Sequence, residues 1–64
     1  MKADIGTVLK TYRRKAKVTQ KKMSGITGLS KNYISAVERN LHKPNGNMIL
    51  QYIKICEIPL DAFF

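Results

Sequence analysis

The junction at Gly28-Leu29 constrains this chain more than any other feature. It separates two short helical segments. The first follows Thr19, a good N-cap, and covers residues 20–27. It ends at Gly28, which suits the left-handed position beyond a helix C-terminus. Ser30 is the next N-cap, and Leu29 before it with Ile34 at the fourth helical position forms a hydrophobic staple. The helix it opens covers 31–39 and stops at Asn40, the best residue after glycine for a left-handed turn. So short a junction cannot fold the chain into a long antiparallel hairpin. It fits two short helices that cross steeply.

The remaining segments are helical as well. Ile5, Val8, Leu9, Tyr12 and Ala16 fall on one face of a helix over 4–16, with Lys10, Arg14 and Lys15 opposite. Asn45 caps a helix over 46–57 whose apolar stripe is Met48, Ile49, Tyr52, Ile53 and Cys56; Pro59 breaks it. Residues 60–64 form a short apolar turn. Gly25 costs the second helix about 1 kcal/mol relative to alanine, so Met23 and Ser24 must hold it by packing. No strand alternation appears. The expectation is an all-α, compact four- to five-helix fold, one domain over 1–64.

Within residues 20–39, Ser24, Gly28, Ile34 and Val37 stand at positions 5, 9, 15 and 18. With the words Val18-Thr19-Gln20, Gly28-Leu29-Ser30, Tyr33-Ile34-Ser35 and Val37-Glu38-Arg39, the chain resembles the lambda-repressor/Cro-like, or XRE-type, helix-turn-helix family. Pro44, the pattern of the fourth helix and Ile58-Pro59-Leu60-Asp61 extend the resemblance to the end of the chain. It implies a DNA-binding fold with its helix-turn-helix at about 20–39. The chain departs from the family at Asn40, where glycine is usual, at Thr27, where an apolar residue is usual, and at Gly25.

Charge points the same way. Twelve Lys and Arg face four Asp and Glu, a net charge of +8. Residues 1–43 hold eleven of the bases and two acids; residues 44–64 hold only Lys54 against Glu57 and Asp61. A cationic end of this kind favours a polyanion, nucleic acid first and an anionic membrane surface second.

With Ile34 set inward, 100° per residue turns Asn32, Ser35, Ala36 and Arg39 outward. That face is short and hydrogen-bonding, as a helix entering a major groove requires. Asn32 suits adenine, Ser35 is permissive, Ala36 can touch a thymine methyl, and Lys31 can reach guanine or a phosphate. The competing reading is a merely solvated face. Gln20 begins the second helix, whose free N–H groups attract phosphate; the resemblance implies that its side chain contacts phosphate and braces the third helix. Lys21, Lys22, Tyr33, Arg39, His42, Lys43, Asn45 and Asn47 complete the expected phosphate-positioning set. The family pattern also implies an ion pair between Arg13 and Glu38, the latter half buried. Leu60, Phe63 and Phe64 form the expected dimer surface.

Catalysis finds no support. There is no carboxylate pair, no metal cluster and no nucleophile–base set, and Cys56, the single cysteine, reads as a small buried hydrophobe rather than a partner for His42. No cofactor or metal is implied. No run approaches a membrane span, and the beginning of the chain lacks a signal segment, so a cytoplasmic, nucleoid-associated location is the expectation. The expected function is a sequence-specific transcriptional regulator, a small dimeric repressor of phage, plasmid or mobile-element type on a palindromic operator in double-stranded DNA. The alternative is an antitoxin-like interaction module that binds a protein partner and autoregulates its operon. A cationic membrane peptide fits poorly, because the caps and turns specify a compact fold.

Overall fold

The computed structural model describes residues 4–64. In chain order it holds α1 (Ile5–Lys15), α2 (Gln20–Thr27), α3 (Lys31–Glu38), α4 (Gly46–Cys56) and a 3₁₀ turn at Leu60–Phe63. Three helices begin as their sequences dictate. The side chains of Thr19, Ser30 and Asn45 accept from the backbone N–H of Lys22, Tyr33 and Met48 at 3.0, 3.1 and 2.8 Å. Each satisfies one of the N–H groups that the first turn leaves without a partner.

α1 is capped from a distance. Asp4 stands at its N-cap position without a side-chain cap bond. Asn40, just past α3, supplies the acceptor: its Oδ1 takes the Gly6 N–H at 3.1 Å, and its Nδ2 donates to Thr7 Oγ1 at 3.1 Å. Asn40 therefore has two functions. Its left-handed backbone (φ 62°) ends α3, and its amide ties that end to the start of α1. The helices meet so closely there that a Cβ on Gly6 would stand 2.0 Å from the Val37 carbonyl oxygen. Only glycine fits.

Two helix ends have unexpected chemistry. Lys17 and Glu57 occupy the left-handed region at φ 59° and 53°. After α1, the N–H groups of Lys17 and Val18 return to the carbonyls of Arg14 and Arg13, a Schellman closure. α4 thus stops at Glu57, two residues before Pro59, which instead opens the 3₁₀ turn.

Leu9, Met23, Ile34, Val37, Met48 and Tyr52 are fully buried, one or more from each helix. Val8, Cys56 and Ile58 close the core, and Val18, Leu29, Ile53 and Phe63 pack against it. Three expectations need correction. Ile5, on the expected apolar face, is 42% exposed because it opens α1, ahead of the turn that packs against the core. Ala16 is exposed, because the chain leaves α1 at that residue. Glu38 is 3% exposed rather than half buried, because side chains from three other helices converge on it.

Candidate nucleic-acid interface

The mount comes before the reading surface. Glu38 on α3 receives four hydrogen bonds. Arg13 of α1 donates Nε to Oε2 at 2.7 Å and a terminal nitrogen to Oε1 at 3.0 Å. Tyr52 of α4 donates its hydroxyl to Oε2 at 2.7 Å, and Gln20 of α2 donates Nε2 to Oε1 at 3.1 Å. The remaining terminal nitrogen of Arg13 reaches the Val18 carbonyl at 2.7 Å. One side chain from every α-helix thus meets at one carboxylate, and α3 is held by charge-assisted bonds to all three neighbours.

The titration behaviour follows from this geometry. Burial alone would raise the Glu38 pKa; the bonds from Arg13, Tyr52 and Gln20 outweigh it and hold the carboxyl below its ordinary value. The hydrogen bond to Glu38 raises Arg13 against the opposing effect of burial. Burial, then the bond to Glu38, pushes the Tyr52 hydroxyl far above the ordinary tyrosine value. The group is a fixed strut: Glu38 stays ionised and Tyr52 neutral throughout the physiological range.

The turn between α2 and α3 is fastened by small side chains. Gly28 takes φ 77°. Thr27 Oγ1 donates to the Met23 carbonyl at 2.8 Å and accepts the Leu29 N–H at 3.2 Å. Ser24 Oγ donates to the Leu29 carbonyl at 2.5 Å. Thr27, a departure from the family pattern, closes the turn by hydrogen bonding where an apolar residue would pack. The cost of Gly25 is met by its neighbour Met23, which is fully buried.

On this mount α3 and its C-cap present Lys31, Asn32 and Arg39 exposed, with Ser35 and Ala36 half buried between them. Arg39 Nε donates weakly to the Ser35 carbonyl at 3.4 Å, which lays its side chain back along the helix. Lys21, Lys22, Lys43 and Asn47 are exposed around this face. Gln20 is half buried with its carboxamide turned inward to Glu38, so what it offers outward is the N-terminus of α2.

Three residues expected to touch phosphate are engaged within the protein. The Tyr33 hydroxyl donates to the Lys43 carbonyl at 3.3 Å and accepts the Asn45 N–H at 3.2 Å. The His42 ring meets Tyr33 edge-on at 5.3 Å, with Nδ1 3.3 Å from the Lys43 carbonyl oxygen. Asn45 spends its side-chain oxygen on capping α4. Tyr33, His42 and Asn45 therefore shape the loop that carries Lys43 beside α3. Two contributors escaped the sequence reading. Asn40 signalled a turn, but nothing in the chain pointed its amide at α1. Tyr52 lay on the apolar stripe, one turn from Met48, and its hydroxyl partner is remote in sequence.

Among the described residues, no three His, Cys, Asp or Glu side chains could hold a metal ion, and no helix is long and apolar enough to cross a membrane. Cys56 is buried in α4, where desolvation raises its thiol pKa, the opposite of an activated nucleophile. His42 lies on the exposed loop beside Tyr33.

Four helices around one buried carboxylate, with an α2–turn–α3 pair exposing a polar helix, define an all-helical helix-turn-helix DNA-binding fold. A helix-turn-helix domain family matches residues 6–64, and the chain belongs to that XRE-type family. Curated relatives include two proteins of Mycobacterium tuberculosis, from strains CDC 1551 / Oshkosh and ATCC 25618 / H37Rv. Each is named an uncharacterized HTH-type transcriptional regulator and is 29% identical over 59 residues, 92% of this chain and 42% of the relative. The chain thus spans less than half the length of these relatives. No solved structure matches it significantly.

Proposed function

We propose that this chain is the DNA-reading part of a transcriptional regulator, a repressor that binds a palindromic operator as a homodimer. The observation that carries the reading is the outward face of α3. It is short, polar and cationic, and it is anchored from behind by the Glu38 cluster. Asn32, Ser35 and Ala36 are the base-reading residues, with Lys31 at the first turn reaching guanine or phosphate. Lys21, Lys22, Arg39, Lys43 and Asn47, with the N-termini of α2 and α4, are the phosphate contacts that fix register. A helix of eight residues reads too few base pairs for useful discrimination. Two subunits reading half-sites roughly 34 Å apart supply the rest.

The dimer surface is the tail. Leu60 is 67% and Phe64 87% exposed, whereas Phe63 turns into the core. An apolar pair left outside beside a partly inserted neighbour supports a contact across a two-fold axis.

Selection of bound fragments from a random DNA pool tests the function. A palindromic consensus with half-sites about one helical turn apart is expected. The contacts around α3 alone, about four phosphates per subunit, should give the log–log salt dependence of a dimer a slope of about −7 or steeper. No enrichment together with a slope near zero refutes the proposal.

A further inference from the structure

The expected phosphate contacts leave part of the positive surface without a purpose. The only ion pair among the described residues is the buried Arg13–Glu38 pair, so the exposed bases of α1 have no acidic partner. Lys15 has a partner of another kind, its ammonium lying 4.9 Å from the centre of the Tyr12 ring. Lys10, Arg14 and Lys17 remain, all exposed.

These three form a ridge. Gly6 and Arg13 mark the line along which α1 meets α3. At 100° per residue, Lys10 and Arg14 stand about 50° and 90° round α1 from that line, on its solvent side and one turn apart. Lys17 continues the ridge past the helix end. The ridge therefore adjoins the end of α3 that carries Arg39 and turns away round the flank of the molecule.

Two features set this ridge against local stability. Like charges four residues apart weaken a helix. The macrodipole offsets this for Arg14, in the last turn, but Lys10 lies outside that turn. Lys17, at φ 59°, occupies a position where glycine would be less strained. A cation stands at both.

We infer that Lys10, Arg14 and Lys17 bind the phosphates of the operator DNA that flanks the half-site. The inference rests on the DNA-binding reading above and extends it.

The test uses two duplexes of equal length carrying the selected operator. One has ordinary phosphates throughout; the other has uncharged methylphosphonates at the phosphates outside the half-sites. The wild-type chain is compared with Lys10→Gln/Arg14→Gln/Lys17→Gly, whose folding is checked by circular dichroism. The wild type is expected to bind the neutral-flank duplex more weakly, with a salt slope smaller by about 2–3 per subunit. The triple variant is expected to bind both alike, with that smaller slope. Equal wild-type binding to the two duplexes, the result for a ridge that serves an acidic protein instead of DNA, overturns this inference alone. A triple variant that still separates the duplexes as the wild type does also overturns it. Binding to neither duplex overturns the DNA reading, and this inference with it.

Discussion

Replacing Glu38 by glutamine keeps the shape of the side chain and removes one charge. At most positions so small a change would matter little. Here each carboxylate oxygen already accepts two donors: Oε2 takes Arg13 Nε and the Tyr52 hydroxyl, and Oε1 takes the other Arg13 nitrogen and Gln20. A glutamine has one oxygen and one NH₂ group. Whichever way it flips, the NH₂ faces an Arg13 donor, and Arg13 keeps its charge at 8% exposure without a counter-ion. Breaking a buried pair in this way costs about 3–5 kcal/mol. A chain of this length is stable by roughly 3–10 kcal/mol in all. At about 4–8 °C per kcal/mol, the melting temperature should fall by at least about 12 °C, and weaker members of the stability range would unfold. Thermal melts followed by circular dichroism at 222 nm measure this directly. Removing the whole group with Arg13→Met, Glu38→Leu and Tyr52→Phe should recover much of the loss, since no charge is then stranded.

The pH dependence supplies a second check. The folded Glu38 pKa lies below its unfolded value, so the folded state gains from ionisation above the ordinary carboxylate range. That gain is lost as pH falls through the folded pKa. Wild type and Glu38→Gln should therefore converge below about pH 4.5, the ordinary glutamate value. A fall of less than about 5 °C in Tm at pH 7, or a gap that stays constant into acid, would refute the argument that Glu38 is the charged centre of the mount.

Asn32→Ala should relax base preference at one position of each half-site, at a cost of about 1–3 kcal/mol, while Lys22→Ala should weaken all sequences nearly equally and flatten the salt slope; parallel selections with both variants measure the contrast, and the same uniform loss from both would contradict the division between reading and positioning. Leu60→Ser with Phe64→Ser, both exposed in the isolated subunit, should leave the melting temperature of the monomer nearly unchanged, shift sedimentation toward monomer and weaken palindromic DNA more than a single half-site. Lys17→Gly and Glu57→Gly should each raise stability by about 0.5–1 kcal/mol in urea titrations, because each relieves a left-handed backbone that disfavours a Cβ; a loss at either position would show that its side chain contributes more than the strain costs. Between pH 9 and 11 the fold should weaken as pH rises, because the Cys56 and Tyr52 pKa values are raised on folding, so the unfolded chain gives up its protons first.

The sequence by itself determined the local structure of this protein. Thr19, Ser30 and Asn45 set three helix starts through hydrogen bonds that span only three residues. Gly28 and Asn40 set two stops through their backbone freedom. The period of Met48, Tyr52 and Cys56 chose the buried face of α4, and the Ile34–Val37 direction left Asn32 and Ser35 outward. All of these depend on neighbours within a turn or two, so residue order is enough to reveal them. Tertiary structure decided what lies between distant residues. The distances in sequence are 25 residues from Arg13 to Glu38, 18 from Gln20 to Glu38 and 14 from Glu38 to Tyr52. Family resemblance suggested the first, and a brace from Gln20 to the third helix without its partner atom; only packing brought Tyr52 to the same carboxylate and buried Glu38. Asn40 reaches back 34 residues to cap α1, and Gly6 is indispensable only because Val37 lies against it. The left-handed turns at Lys17 and Glu57 were invisible for the same reason. Neither residue prefers that conformation, and each adopts it because closing the helix end, with Val18 and Ile58 brought against the core, is worth more than the strain.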